Sequence, residues 1–166
     1  MRVSLSPDWR FDAYTDVTPD FLRDLGVKLL LCDLDYTLAP RSVARPDETL
    51  RRWIGKMEET GIRVMILSNN RRPVRVETFC RDLGITYVGH AGKPLRRGFR
   101  RAMSEAGVTE RETAMLGDKL LTDALGGHLS GVWVLTVEPA GGARTVGQKL
   151  LHAMQAPFKR KGRTIQ

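Results

Sequence analysis

The sequence is poor in cysteine, and it lacks long apolar runs, repeats and low-complexity stretches. Two cysteines in 166 residues, Cys32 and Cys80, stand too far apart for metal-type spacing, which excludes a disulfide scaffold and leaves each as a small buried hydrophobe. No run approaches the ~18 apolar residues that span a bilayer. The longest, from Val27 to Cys32, is interrupted by Lys28 and stops at Asp33. The N-terminal residues turn polar after Trp9 and carry no signal-type apolar segment, so the expectation is a soluble cytoplasmic protein. With 42% hydrophobic and 28% charged residues, the chain is neither disordered nor fibrous. Its length suits one domain over 1–166, with 1–17 as an N-terminal extension and 157–166 as a flexible basic tail.

Charge is plentiful but unevenly placed. Lys and Arg number 27 against 19 Asp and Glu, a net +8. Residues 1–40 are net acidic, and the excess lies in 41–101, at Arg71, Arg72, Arg75, Arg96, Arg97, Arg100 and Arg101. A second focus is Lys159-Arg160-Lys161-Gly162-Arg163 beside Phe158, which reads either as a weak interfacial anchor or as a solvated tail. Such a field attracts phosphate, whether in a nucleotide, a nucleic acid or an anionic lipid. No aromatic-interleaved basic patch or nucleic-acid motif accompanies it, so nucleic acid is the less favoured partner.

Short apolar runs alternate with amphipathic stretches, the pattern of a parallel α/β sheet. Strands are expected at 27–32, 62–67, 85–88, 113–116 and 132–137. Helices are expected at 18–25, 46–61, 74–83, 94–106 and 120–129, with a terminal helix carrying Val146, Leu150, Leu151 and Met154. Trp9 and Phe11 are expected to cover the sheet edge.

In open α/β sheets ligands bind beyond the carboxyl ends of the strands. Asp33 and Asp35 follow one expected strand, Ser68 the next and Asp118 a third. Two carboxylates two apart in a tight turn can act as nucleophile and as proton donor and acceptor. Ser68 and the amides after it suit phosphoryl oxygens, and Lys93 is a point charge for a transferring phosphoryl group. Asp118 and Asp123, with Asp33, make an oxygen-rich site for a hard cation such as Mg²⁺.

Asp33-Leu34-Asp35-Tyr36-Thr37-Leu38, Ser68-Asn69-Asn70, Lys93 and Gly117-Asp118-Lys119-Leu120-Leu121-Thr122-Asp123, in that order, resemble the four motifs of the haloacid dehalogenase-like phosphatases. The resemblance implies a three-layer Rossmann-like fold with a central parallel sheet and an Mg²⁺-dependent phosphomonoester hydrolase. Asp33 would form an aspartyl-phosphate and bind the metal. Asp35 would be the acid and base, with its carbonyl on the metal, and Thr37 would brace the loop. Ser68 and the Asn69 backbone would hold phosphate, Lys93 would stabilise the transferred group, and Asp118 would be a direct metal ligand. Asp123 would act through a metal-bound water or by orienting Lys93. Neither 36–67 nor 69–92 has room for an inserted cap domain. A capless site stays open to bulky substrates or borrows a lid from a second copy in a homo-oligomer.

A narrower likeness, from Thr18-Pro19 through Gly126-Gly127 and the strand after it, is to the small YqeG-type, subfamily IIIA phosphatases, whose relatives include phosphatidylglycerophosphate phosphatases. It implies phosphatidylglycerophosphate as the most specific candidate substrate and peripheral contact with the inner face of an anionic membrane. A soluble sugar-phosphate or nucleotide phosphatase is the alternative within the class, and a basic nucleic-acid-binding protein the alternative outside it. Arg71 and Arg72 follow the phosphate turn, where they either meet a substrate's second anionic group or lie on the surface. The family pattern leads to Asn at position 36 and Asn plus a basic residue at 128–129, where this chain has Tyr36 and His128-Leu129.

Overall fold

The computed structural model describes residues 4–70, 73–141 and 163–164. Strands β1 (Trp9–Phe11), β2 (Leu29–Cys32), β3 (Arg63–Leu67), β4 (Thr86–Val88), β5 (Thr113–Gly117), β6 (Trp133–Val137) and β7 (Arg163–Thr164) form one sheet. Their order is β4-β3-β2-β5-β6-β1-β7, and every pairing is parallel. Helices α1 (Pro19–Asp24), α2 (Glu48–Glu59), α3 (Pro73–Leu83), α4 (Arg96–Ala106) and α5 (Leu125–Ser130) connect or flank the strands.

The central strands β2, β3, β5 and β6 are mostly apolar because both faces are covered. Their side chains alternate between two cores. Leu30, Cys32, Val64, Ile66, Ala114 and Leu116 face Leu22 of α1, Leu50, Trp53, Ile54 and Met57 of α2, and Val76 and Phe79 of α3. Leu29, Leu31, Met65, Leu67 and Met115 face Phe99, Ala102 and Met103 of α4. The period of two in the strands thus divides the helices into two layers. Thr18 caps α1, its hydroxyl accepting from the Phe21 amide at 3.2 Å, and Asp47 caps α2 by accepting from the Leu50 amide at 2.8 Å.

The chain leaves β2 for β3 and β4 on one side, then crosses to β5 and β6 on the other. The switch point therefore lies at the carboxyl end of β2, where Asp33 stands. Only α2 and its loops lie between β2 and β3, so no cap interrupts the fold there. Among the described residues no helix is long and apolar enough to cross a membrane.

Three details depart from the sequence reading. Trp9 and Phe11 do not merely cover an edge: they belong to β1, in register with Leu135 and Val137 of β6. Residues 163–164, from the basic tail, pair in turn with β1. The expected helix at 120–129 begins as a wide π-type turn over Leu120–Ala124 before α5. The expected terminal helix lies outside the described residues, as do residues 157–162 and 165–166 of the tail.

Candidate active site

Each chemical side chain sits where a strand stops. Asp33 follows β2, and its amide donates to the Leu116 carbonyl of β5 at 2.9 Å. Ser68 follows β3, its amide donating to Val88 O at 3.0 Å. Asp118 follows β5, and Lys93 lies in the loop between β4 and α4. Asp33, Asp35, Thr37, Ser68, Lys93, Asp118 and Asp123 are all buried.

Polar groups buried this deeply need partners, and the carboxylates have them. The Lys93 ammonium lies 2.8 Å from Asp33 Oδ1 and 2.8 Å from Asp123 Oδ1. Thr37 Oγ1 donates to Asp118 Oδ1 at 3.2 Å. The Asn69 side chain grips the backbone of Lys93 from both sides: its Nδ2 donates to Lys93 O and its Oδ1 accepts from Lys93 N, each at 2.8 Å. Ser68 Oγ accepts from the Asn70 amide at 3.0 Å, closing the turn after β3.

Gly117 makes the Asp123 position possible. A Cβ there would overlap the Asp123 carboxylate, which folds back over the strand end because the π-type turn brings the Asp123 amide to Lys119 O at 2.9 Å.

Three cationic residues in this cluster were not among the candidates read from the sequence. Lys119 Nζ lies 3.0 Å from Asp33 Oδ2, 3.0 Å from Asp118 Oδ1 and 3.4 Å from the Asp35 carbonyl oxygen. Arg41 Nε donates to Asp35 Oδ2 at 3.0 Å, and Arg75 Nε to Asp35 Oδ1 at 3.1 Å. Arg75 also donates to Pro40 O at 2.9 Å and to Val43 O, and stacks over the Phe79 ring. Four carboxylates thus face four cations. In the sequence Lys119 stood inside the fourth motif with no role of its own, and Arg75 among the arginines of the basic 41–101 segment.

The electrostatics follow. Burial alone would raise the Asp33 pKa, but the ammoniums of Lys93 and Lys119 outweigh it and hold it below the usual carboxylate range. Burial works against both ammoniums in turn. Asp123 and Asp33 overcome it at Lys93, and Asp33 and Asp118 overcome it at Lys119, so both pKa values stand above that of an ordinary lysine. Asp123 is pushed up, by burial first and then by the negative charges of Asp33 and Asp118, against the pull of Lys93. Burial likewise raises the Cys32 thiol, leaving it protonated and inert.

Asp33, Asp118 and Asp123 each offer a carboxylate oxygen within 4.8 Å of the others. A set of hard oxygen donors carrying more negative charge than Lys93 alone can balance fits a divalent cation such as Mg²⁺. Arg71 and Arg72 lie outside the described residues.

A model of the haloacid dehalogenase-like hydrolases matches residues 7–131. The Bacillus subtilis (strain 168) protein named "Probable phosphatase YqeG" is 36% identical over 156 residues, covering 88% of this chain and 87% of that one. The chain belongs to the haloacid dehalogenase-like hydrolase family. It is a phosphatase of that family, a hydrolase of phosphoric monoesters with no cap among the described residues. Solved structures share its fold at lower identity. The cobalt-bound deoxy-D-mannose-octulosonate 8-phosphate phosphatase of Haemophilus influenzae superposes with a TM-score of 0.54 at 18% identity, covering 82% of this chain and 91% of that one. The 3-deoxy-D-manno-octulosonate 8-phosphate phosphatase of Yersinia pestis gives 0.56 at 17% identity, over 86% and 88%.

Proposed function

We propose that this phosphatase works through an aspartyl-phosphate on Asp33, with Mg²⁺ bound by Asp33, Asp118, the Asp35 carbonyl and Asp123, the last directly or through water. A carboxylate oxygen of Asp33 attacks phosphorus while the bond to the leaving oxygen breaks and Asp35 gives that oxygen a proton. Asp35 then takes a proton from a water that attacks the same phosphorus. The bond to Asp33 breaks and inorganic phosphate leaves. Lys93 neutralises the phosphoryl oxygens, Ser68 and the Asn69 backbone donate to them, and Thr37 braces the Asp33–Asp118 side of the pocket. Bound Mg²⁺ supplies further charge neutralisation. The observation that carries this reading is Lys93 Nζ seated 2.8 Å from both Asp33 and Asp123. A nucleophile, a fixed cation and a further acidic group meet there at one strand end.

Asp35 reaches this role only by exchanging one partner for the proton that it passes to the leaving oxygen. Both of its oxygens carry guanidiniums. Arg41, with 63% of its side chain exposed, is the one that a leaving oxygen displaces; Arg75, 17% exposed and anchored to two carbonyls, stays.

The substrate class we assign is an anionic phosphomonoester presented at a membrane surface, with phosphatidylglycerophosphate the specific candidate. Support comes from the capless site and from Arg97, Arg100 and Arg101, which lie exposed on α4. Arg71 and Arg72 beside the phosphate turn would take a second anionic group. The enzyme then works in the cytoplasm, peripherally at the inner face of the membrane. Release of phosphate from phosphatidylglycerophosphate in anionic vesicles, falling as salt rises, is the expected result. Turnover of sugar phosphates or nucleotides with no activity on vesicles would instead favour a soluble substrate and a homo-oligomeric lid.

A further inference from the structure

Lys119 occupies a position with a consequence for the resting enzyme. Its ammonium touches Asp33 Oδ2, Asp118 Oδ1 and the Asp35 carbonyl, three of the oxygens that the proposed function gives to the metal. One cation at a time can use those oxygens. We propose that Lys119 is a tethered counter-cation: it fills the cation position while no metal is bound, and withdraws when one arrives. The inference rests on the reading of Asp33, Asp118 and Asp123 as the metal site.

Charge and exposure decide which group yields. With Lys93 and Lys119 both in place, the three carboxylates are left with one uncompensated negative charge. Without Lys119 they carry two, in a pocket where each is almost fully buried. Lys93 has 2% of its side chain exposed and its backbone is clamped by Asn69, so it cannot leave. Lys119 has 32% of its side chain exposed, on a flexible four-carbon stem. The arrangement also ties Asp33 at both oxygens, Oδ1 to Lys93 and Oδ2 to Lys119. The nucleophile is therefore held in pairs until the tether lets go. In exchange the acidic cluster stays folded in a metal-poor medium, where unpaired buried carboxylates would repel one another. The cost is weaker metal affinity, since each binding event must displace an intramolecular competitor.

The test uses the full chain stripped with EDTA and titrated calorimetrically with MgCl₂. Lys119→Gln is expected to bind Mg²⁺ about tenfold more tightly than wild type, about 1.4 kcal/mol. It is also expected to melt at a lower temperature in EDTA and to gain more from added Mg²⁺. Equal or weaker binding by Lys119→Gln overturns the proposal. Asp118→Asn separates the two readings. If it binds Mg²⁺ as wild type does, the metal-site reading falls and this inference with it. If it loses binding while Lys119→Gln matches wild type, only this inference falls. Should Lys119→Gln not fold, the wild-type chain still answers. Acetylation of Lys119, followed by mass spectrometry, should speed up several-fold when Mg²⁺ replaces EDTA, and an unchanged rate overturns the tether.

Discussion

Asn69 and Lys93 are joined by two hydrogen bonds of 2.8 Å, the amide of one closing on the backbone N–H and carbonyl of the other. A residue from the turn after β3 thereby fixes the loop that delivers the buried ammonium to Asp33. Asn69→Ala removes both bonds and should cost about 1–2 kcal/mol of stability. It should also lower kcat on an aryl phosphate by about tenfold or more, because an ammonium displaced by even ~1 Å stabilises the transferring group poorly. Denaturant melts and steady-state kinetics on the same preparations check both.

Arg41 and Arg75 hold the same carboxylate but should behave differently. Arg75→Ala loses bonds to Asp35, Pro40 and Val43 and its stacking on Phe79, and should destabilise by about 2–3 kcal/mol. Arg41→Ala removes a pairing whose guanidinium is solvent-exposed while Arg75 still holds Asp35, and should change stability by less than about 1 kcal/mol. Its effect should be seen in turnover instead, since the leaving oxygen no longer competes with a guanidinium. Paired thermal melts and kcat values for the two variants distinguish them.

Tyr36 has φ +68°, a left-handed backbone that a bulky side chain adopts at a cost of roughly 1–3 kcal/mol. The local bonds hold it there: its amide donates to Ala39 O at 2.9 Å, and its carbonyl accepts from the Ala140 amide at 2.7 Å. Its ring also lies 5.8 Å from the Arg41 guanidinium. Asn tolerates this conformation better, which gives a physical reason for the family pattern at that position. Tyr36→Asn should raise stability by about 0.5–1 kcal/mol, read by denaturant unfolding.

Glu112 accepts from the Lys28 ammonium at 2.6 Å and from the amide and hydroxyl of Thr109, and these hold its pKa down to about 2 from the ordinary 4.5. A depressed carboxylate stabilises the fold fully above its unfolded value and loses that contribution as pH falls toward its folded value. The melting-temperature difference between wild type and Glu112→Gln should therefore be constant above about pH 5 and shrink between about pH 4.5 and 2.

Much of this architecture was legible because strands buried on both faces read as unbroken apolar runs, and because Pro19, Asp47 and the glycines after helices mark element ends. The gathering of Asp33, Ser68, Lys93 and Asp118 at one sheet edge followed from their places after successive strands. What escaped had physical reasons. Strand β1 is three residues with an arginine in the middle, and β7 is two, so neither carries a periodic signal. Lys119 contacts Asp33 across 86 positions, and Arg75 contacts Asp35 across 40. A basic residue among 27 gives no hint in sequence of which carboxylate it will meet. The side-chain clamp of Asn69 was hidden in the same way, behind a role read for its backbone.

The central claim is that Asp33 is the group that attacks phosphorus. It is tested most directly by comparing wild type with Asp33→Asn on an aryl phosphate in Mg²⁺. The account predicts a fall of about 10³-fold or more in kcat with the fold intact by circular dichroism. An Asp33→Asn enzyme that turns over at the wild-type rate would contradict it.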